Sequence, residues 1–460
     1  MKFYNREKEI KLLSNIKKDF RIAVIGRRRI GKTTLVEHFY SKDRITLFVS
    51  AEKAEKEIVT GWIKEYSNLN IPNVTTLLDF FDYVFYHLKD KVVFIDEIQN
   101  ILKVNKSFLF DLQRLIDKHK PKLVVSGSII SLMKNIIEDY KSPLYGRFDL
   151  NIKLDELNFN TVHMICKDLS ISFEETIKIY SIFGGIPKYY ELIEKMEKFD
   201  FYESVLDFFV RYPRALYEEV KTMLKEEFGS EYRTFFSILS SISQGKNKHS
   251  EIAGYIGKKQ TEITKYLSLL KDDFEIISRK TPLIAGKKGI YSIKNNVIDF
   301  WFSNIWRYSE LLENMQEEKL AELVKESIDK HISKSFEKLI IELIKNNILF
   351  SDKEFSKFGS QWGKFKGEKG KNTYEIDIVA LNEQTKEILF GECKWKEHVN
   401  AISLAKELAE KIKYVEWNNG KRKEILVFFA KSFSKKIKEF EGKKAYCLDL
   451  KDMEKILKER

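Results

Sequence analysis

The octapeptide Gly26-Arg27-Arg28-Arg29-Ile30-Gly31-Lys32-Thr33 constrains the fold of this chain more than any other segment. It fits the pattern G-x-x-x-x-G-K-[ST] at every fixed position. Its flanks, RIAVI before and TTLVEHFY after, read as a strand and a helix, the context the pattern requires. Further apolar runs follow at ITLFVS (45–50), KVVFIDE (91–97), KLVVSGS (122–128) and FDLNIKL (148–154), separated by amphipathic stretches. Near-continuous apolar strands alternating with helices mean a parallel sheet buried on both faces. An α/β domain over residues 1–154 is therefore expected.

In such a loop the glycines let backbone N–H groups converge on phosphates, helped by the positive end of the following helix. Lys32 would reach the β and γ phosphates, and the Thr33 hydroxyl would bind Mg²⁺. The nucleotide-binding segment then runs from Gly26 through Arg27, Arg28, Arg29, Ile30, Gly31, Lys32 and Thr33 to Thr34. The run Val92-Val93-Phe94-Ile95-Asp96-Glu97 is a buried strand ending in two acids. Asp96 is placed to hold the magnesium through water and Glu97 to polarise an attacking water, so ATP and Mg²⁺ are the expected ligands. An acidic pair points to the P-loop branch that carries a catalytic glutamate (the ASCE type) and hence to hydrolysis. After the next strand, Ser126 or Ser128 is a candidate sensor of nucleotide state, although a tight turn explains both nearly as well. Arg147, before the last strand, reads as an arginine finger or sensor, or equally as a surface arginine.

A chain of 460 residues exceeds what one core supports and divides into several domains. Residues 155–228 read as a helical lid interrupted at Phe183-Gly184-Gly185-Ile186-Pro187. Residues 229–308 read as three helices and a hairpin around Gly286 and Gly289, 309–330 as a mostly helical linker, and 331–460 as a second, small α/β domain. The net charge of +12 favours polyanions such as nucleic acid, weakly, because the excess is spread along the chain. No apolar run approaches the roughly 20 residues that span a bilayer. The N-terminus lacks a signal-peptide core. The three scattered cysteines lack metal-ligand spacing and fit a reducing cytoplasm.

Residues 248–271 show a short helix, a turn at Gly257 and a second amphipathic helix, with Ile252, Ala253, Ile256, Ile263, Leu267 and Leu270 on the apolar face. The outward face of the second helix offers Lys258, Lys259, Gln260, Thr261, Thr264 and Lys265, types that bind phosphates and base edges. Arg279, Lys280, Lys287 and Lys288 decorate the following hairpin, the expected wing of a winged helix. DNA is the partner this surface suits, and packing alone is the alternative.

The tail carries a second constellation. Tyr374-Glu375-Ile376-Asp377-Ile378-Val379 and Ile388-Leu389-Phe390-Gly391-Glu392-Cys393-Lys394-Trp395 read as paired strands, with Glu392 and Lys394 on one face by the period of two. Asp377, Glu392 and the Cys393 carbonyl would bind Mg²⁺, and Lys394 would orient or deprotonate a water for attack on a phosphodiester. Glu337, on the preceding helix, would add a carboxylate.

The segments FYNREKEIKLL, GRRRIGKTTL, VVFIDEIQ, VVSGSIISLM, SPLYGRFDL and FGGIPKYY occur in the order seen in the archaeal ATPase family, on the STAND-like side of the AAA-related P-loop ATPases. The resemblance covers about residues 1–310. It implies a sheet of order 5-1-4-3-2, a helical lid and a winged helix. It further implies Asn5, Arg6 and Glu7 beside the adenine, a nucleotide-sensing Arg147, and nucleotide contact by the lid motif ending at Pro187. Residues 331–450 resemble the PD-(D/E)XK nuclease superfamily, with Ile376 where a proline is usual. They also resemble a C-terminal domain often attached to these ATPases. The resemblance implies a restriction-endonuclease-like α/β domain.

Two functions follow. One is an ATPase whose nucleotide state is coupled to DNA binding and to nuclease action by the tail. The other is an ATP-driven regulatory switch whose winged helix binds DNA or protein and whose tail is catalytically inactive. Were Arg147 to act in trans, neighbouring subunits in a ring or dimer would be needed. The sequence leaves that open.

Overall fold

The computed structural model describes every residue except 1, 17, 42, 285, 287, 288, 351, 352, 366–372 and 460. Lys287 and Lys288, expected on the wing, lie outside the described residues.

The first unit is built on strands β1 (Arg21–Ile25), β2 (Arg44–Phe48), β3 (Val92–Asp96), β4 (Leu123–Gly127) and β5 (Leu150–Lys153). All pair in parallel, in the order β2-β3-β4-β1-β5, as expected. Both faces are covered, which is why the strands lack a polar face. Ala23, Val93, Ile95 and Val125 enter one core, and Ile22, Val24, Phe94 and Val124 enter the other. The octapeptide leaves the carboxyl end of β1 between β4 and β5, where ligands of such sheets sit.

The lid comprises helices Phe159–Asp168, Phe173–Phe183, Pro187–Glu194, Phe201–Phe209 and Ala215–Phe228. Its break falls at Gly184 and Gly185. Gly184 has φ 58° and ψ −149°, a conformation open essentially to glycine. Gly185 accepts a hydrogen bond from the Leu157 N–H at 2.8 Å, and a Cβ there would lie 1.8 Å from the Leu157 carbonyl oxygen. Pro187 then starts the next helix at a position that needs no N–H donor.

Helices Tyr232–Ser243, His249–Ile256 and Gln260–Ser268 precede the hairpin of β6 (Ile277–Lys280) and β7 (Ile290–Ile293). Ile252, Ala253, Ile263, Leu267 and Leu270 are buried as the spacing required, and Ile256 is half-buried. The hairpin is not free. Its loop runs onto the C-terminal sheet, where Leu283 N–H donates to the Ser360 carbonyl at 3.2 Å and Ile284 N–H to Gln361 Oε1 at 2.9 Å. Ile284 is buried in that domain's core. The hairpin expected as a wing thus docks through residues 283 and 284: an apolar Leu-Ile pair and an edge strand cover each other.

The linker expected over 309–330 holds a short helix, Ser309–Glu313, and from Glu317 it is continuous with the amphipathic helix expected at the start of the tail, one 29-residue helix Glu317–Lys345. Leu320, Val324, Ile328, Ile332, Phe336, Ile340 and Ile344 form one buried stripe along it, so nothing breaks it at 330. The sheet that follows is built on β8 (Lys357–Lys364), β9 (Thr373–Asn382), β10 (Glu387–Lys394), β12 (Lys423–Ala430), β14 (Glu439–Phe440) and β15 (Lys443–Leu448), with a small side pair of β11 (Val399–Asn400) and β13 (Phe433–Lys435). Its order is β14-β15-β12-β10-β9-β8. β8, β9 and β10 form an antiparallel meander, and helix Ala401–Ile412 crosses over to β12, parallel to β10. Asp299 joins this domain to the third unit, residues 229–308. It is 3% exposed and accepts from Lys338 Nζ of the long helix at 2.8 Å. Burial alone would raise its pKa, but Lys338 and Lys334 hold it well below the usual carboxylate range.

Candidate active site

Arg29 and Gly31 give the phosphate loop its shape, with φ of 67° and 93°. Gly26 packs so closely that a Cβ would lie 2.7 Å from the Leu154 carbonyl oxygen. Beside the loop opens a cavity of about 510 Å³ lined by Arg29, Ile30, Gly31, Lys32, Thr33, Thr34, Glu97 and Pro187. Its size and its run of loop and helix N-terminal residues fit a nucleoside triphosphate.

The strand ends converge as expected. Thr33 Oγ1 donates to Asp96 Oδ2 at 2.6 Å, and Ser126 Oγ donates to the other Asp96 oxygen. Thr33 and Asp96 are thus the pair that would hold Mg²⁺. Lys32 Nζ donates to the Arg27 carbonyl at 3.2 Å and stands 3.8 Å from Glu97. Burial lowers the Lys32 pKa, and the charges of Glu97 and Asp96 oppose that shift. Glu97 sits at φ 57°, an uncommon conformation for a residue with a side chain. Its Oε2 accepts from Ser128 Oγ at 2.6 Å and from Gln99 Nε2. Gln99 was missed in the sequence, because an amide beside an acidic pair has no signature of its own. Gly127 permits it: a Cβ there would meet Gln99 Oε1 and Met133 Sδ.

Two expectations are corrected. Arg147 lies at the amino end of β1, where its carbonyl accepts from Arg21 Nε, and it is bound to Asp117 at 3.1 and 3.0 Å. The phosphate loop leaves the opposite end of that strand, so Arg147 does not reach the cavity of its own chain. Asn5 and Glu7 are not among the residues lining the cavity, whereas Lys2, Phe3, Tyr4, Arg6 and His38 are. Asn5 instead donates to Thr161 Oγ1 at 2.7 Å. Arg6 braces the loop, donating to the Ile30 carbonyl at 3.1 Å and the Asp155 carbonyl at 2.8 Å. Phe3 stacks on His38 at 4.0 Å. No spacing rule reveals a pair so far apart in sequence.

The other loop arginines face away from the cavity. Arg27 donates to the Phe274 carbonyl at 2.5 Å, and Arg28 approaches Glu226 at 3.9 Å.

In the C-terminal domain Asp377, Glu392 and Lys394 meet at one end of the β9–β10 pair. The Cys393 N–H donates to Asp377 Oδ2 at 2.9 Å, and Lys394 Nζ donates to Glu392 Oε2 at 3.3 Å. Lys411, which sequence reasoning missed, donates to Glu392 Oε1 at 2.6 Å from helix Ala401–Ile412. Burial, then the charges of Asp377 and Glu375, raises the Glu337 pKa to about 8. Among the described residues no three His, Cys, Asp or Glu side chains are grouped to hold a metal ion, and lysines take both Glu392 oxygens.

Just before and along helix Gln260–Ser268, Lys258, Lys259, Gln260, Thr261, Thr264 and Lys265 are exposed. Lys280, by contrast, is drawn in beside Lys338, Lys334 and Asp299, and burial lowers its pKa to about 8.

Sheet, loop and paired acids define the class: a P-loop ATPase domain carrying a helical lid. Residues 3–193 match the family described as "ATPase domain predominantly from Archaea", and residues 301–412 match "Archaea bacterial proteins of unknown function". An uncharacterized protein of Methanocaldococcus jannaschii is 35% identical over 421 residues, 86% of this chain and 88% of that one. The chain belongs to this archaeal ATPase family. A Walker-type ATPase of Pyrococcus abyssi shares the fold at 17% identity and a TM-score of 0.50, over 65% of this chain and 96% of that one. The ORC2 protein of Aeropyrum pernix, solved in ADPNP–ADP complexes, matches at 13% identity and a TM-score of 0.45, over 70% and 96%. Among the described residues no helix is long and apolar enough to cross a membrane.

Proposed function

We propose that the chain is a magnesium-dependent ATPase that uses its nucleotide state to govern DNA binding by a winged helix formed by residues 229–308. The observation that carries the reading is the Thr33–Asp96 contact of 2.6 Å with Glu97 held beside Lys32 at the cavity wall. Lys32 and the loop amides bind and orient the phosphates. Magnesium, when bound at Thr33 and Asp96, neutralises phosphate charge. Glu97, fixed by Ser128 and Gln99, takes the proton of a water whose oxygen attacks the terminal phosphorus, and the β-phosphate oxygen leaves. The exposed Lys258, Lys259, Gln260 and Lys265 suit a phosphate backbone, and with the hairpin docked, helix Gln260–Ser268 is the element this reading assigns to DNA contact.

The test is a salt titration of binding to duplex DNA with ATP or ADP present. Lys259→Ala with Lys265→Ala should weaken binding and flatten the slope by roughly 2. Identical slopes in variant and wild type would reject this surface. A second reading, a metal-dependent nuclease, is favoured by the meeting of Asp377, Glu392 and Lys394 under Glu337. It predicts magnesium-dependent cleavage of branched, single-stranded or duplex DNA that Asp377→Ala abolishes. No cleavage of any of these would leave the tail as a structural module.

A further inference from the structure

Helix Ala215–Phe228 holds the phosphate loop by a set of acids that neither reading above uses. Glu219 and Glu226, seven positions apart on one face, meet Arg29 and Arg28 respectively. Glu227, the next residue, is buried against Ser131, at the start of the helix that follows Ser128. One helix thus touches both the loop that grips phosphates and the segment that fixes Glu97.

The Arg29–Glu219 contact is a charge pair without completed hydrogen bonding. Arg29 Nη2 pairs with Glu219 Oε2, whereas Arg29 Nη1 is buried with no hydrogen-bond partner among the described residues. Buried donors and acceptors are rarely left so, and each such group calls for an explanation. Arg29 lines the cavity, and its guanidinium lies 6.0 Å over the Tyr189 ring of the lid. A phosphate oxygen in the cavity would complete the arginine's bonding and compete with Glu219 for it.

We infer that Glu219 is a latch acid: it competes with the terminal phosphate of a nucleoside triphosphate for Arg29, so helix Ala215–Phe228 is released by ATP and not by ADP. The inference rests on the phosphate loop binding ATP. It makes Arg29 a positioning residue that reads the third phosphate within its own chain, a role Arg147 does not fill from its place at the other end of β1.

The experiment measures ATP and ADP dissociation constants with Mg²⁺ on the full chain, for wild type, Glu219→Gln, Arg29→Ala and the double variant. Glu219→Gln removes the competitor and should tighten ATP about tenfold, the value of one charge-assisted hydrogen bond, with ADP changed less than about twofold. In the Arg29→Ala background Glu219→Gln should change neither. An unchanged ATP affinity, an equal effect on both nucleotides, or an effect that persists without Arg29 would overturn the latch. Amide exchange of residues 215–228 in the wild type tests the same point without a variant. Faster exchange with ATP than with ADP supports the latch, and equal exchange overturns it. A wild-type chain that binds neither nucleotide overturns the proposed function and the latch together.

Discussion

Replacing Gly185 by alanine tests the junction between the lid and the ATPase domain. A Cβ there would fall 1.8 Å from the Leu157 carbonyl oxygen and 2.6 Å from the Leu157 carbonyl carbon and nitrogen. An ordinary carbon–oxygen contact is about 3.3 Å or more, so backbone must move by roughly 1.5 Å. All the obstructing atoms are main chain, which cannot turn aside as a long side chain does. Overpacking typically costs about 1–3 kcal/mol, and we expect the upper end, about 3 kcal/mol. Leu157 and Pro187 both line the nucleotide cavity, so the shift should also weaken ATP binding, by roughly tenfold. Gly254 is the control. It sits in helix His249–Ile256 with nothing within 4 Å of a Cβ, and alanine there should stabilise by roughly 0.5–1 kcal/mol. Thermal melting and ATP titration of both variants read the outcome. A Gly185→Ala protein that melts with the Gly254→Ala protein and binds ATP like wild type would refute the packing argument.

Asp299→Asn should cost about 2–3 kcal/mol in denaturant titration, below the full range for a broken buried pair because Lys338 is 23% exposed, and Lys338→Met in the same chain should restore most of it. A loss under about 0.5 kcal/mol would show that this pair does not join the third unit to the tail. Burial raises Glu227 from 4.5 to about 7, with Arg27 opposing, so its contribution is present below pH 4.5 and lost as pH rises to about 7. Glu227→Gln should therefore match wild type near pH 4 and exceed it at pH 8, by at most about 3 kcal/mol. Parallel pH–stability curves would contradict this.

The sheet and its phosphate loop were legible because both rest on local rules. Strand spacing reports two-sided burial, and the loop's glycines report backbone shape. Asp96, Glu97, Ser126 and Ser128 were legible because they sit at ends of strands whose register is fixed. Arg147 was left undecided because a motif order does not say at which end of a strand a turn lies. Phe3 and His38, Lys411 on Glu392, and Glu219 on Arg29 join distant segments through contacts that no spacing encodes. The docking of the hairpin was hidden for a related reason: no spacing shows that Leu283 and Ile284 cover an edge strand of the C-terminal sheet.

The most direct measurement is paired ATP binding and turnover with Mg²⁺ for wild type, Lys32→Ala and Glu97→Gln. Lys32→Ala should lose binding, whereas Glu97→Gln should bind ATP like wild type and turn it over at least about a hundredfold more slowly. Equal turnover by Glu97→Gln and wild type, or undiminished binding by Lys32→Ala, would contradict the account.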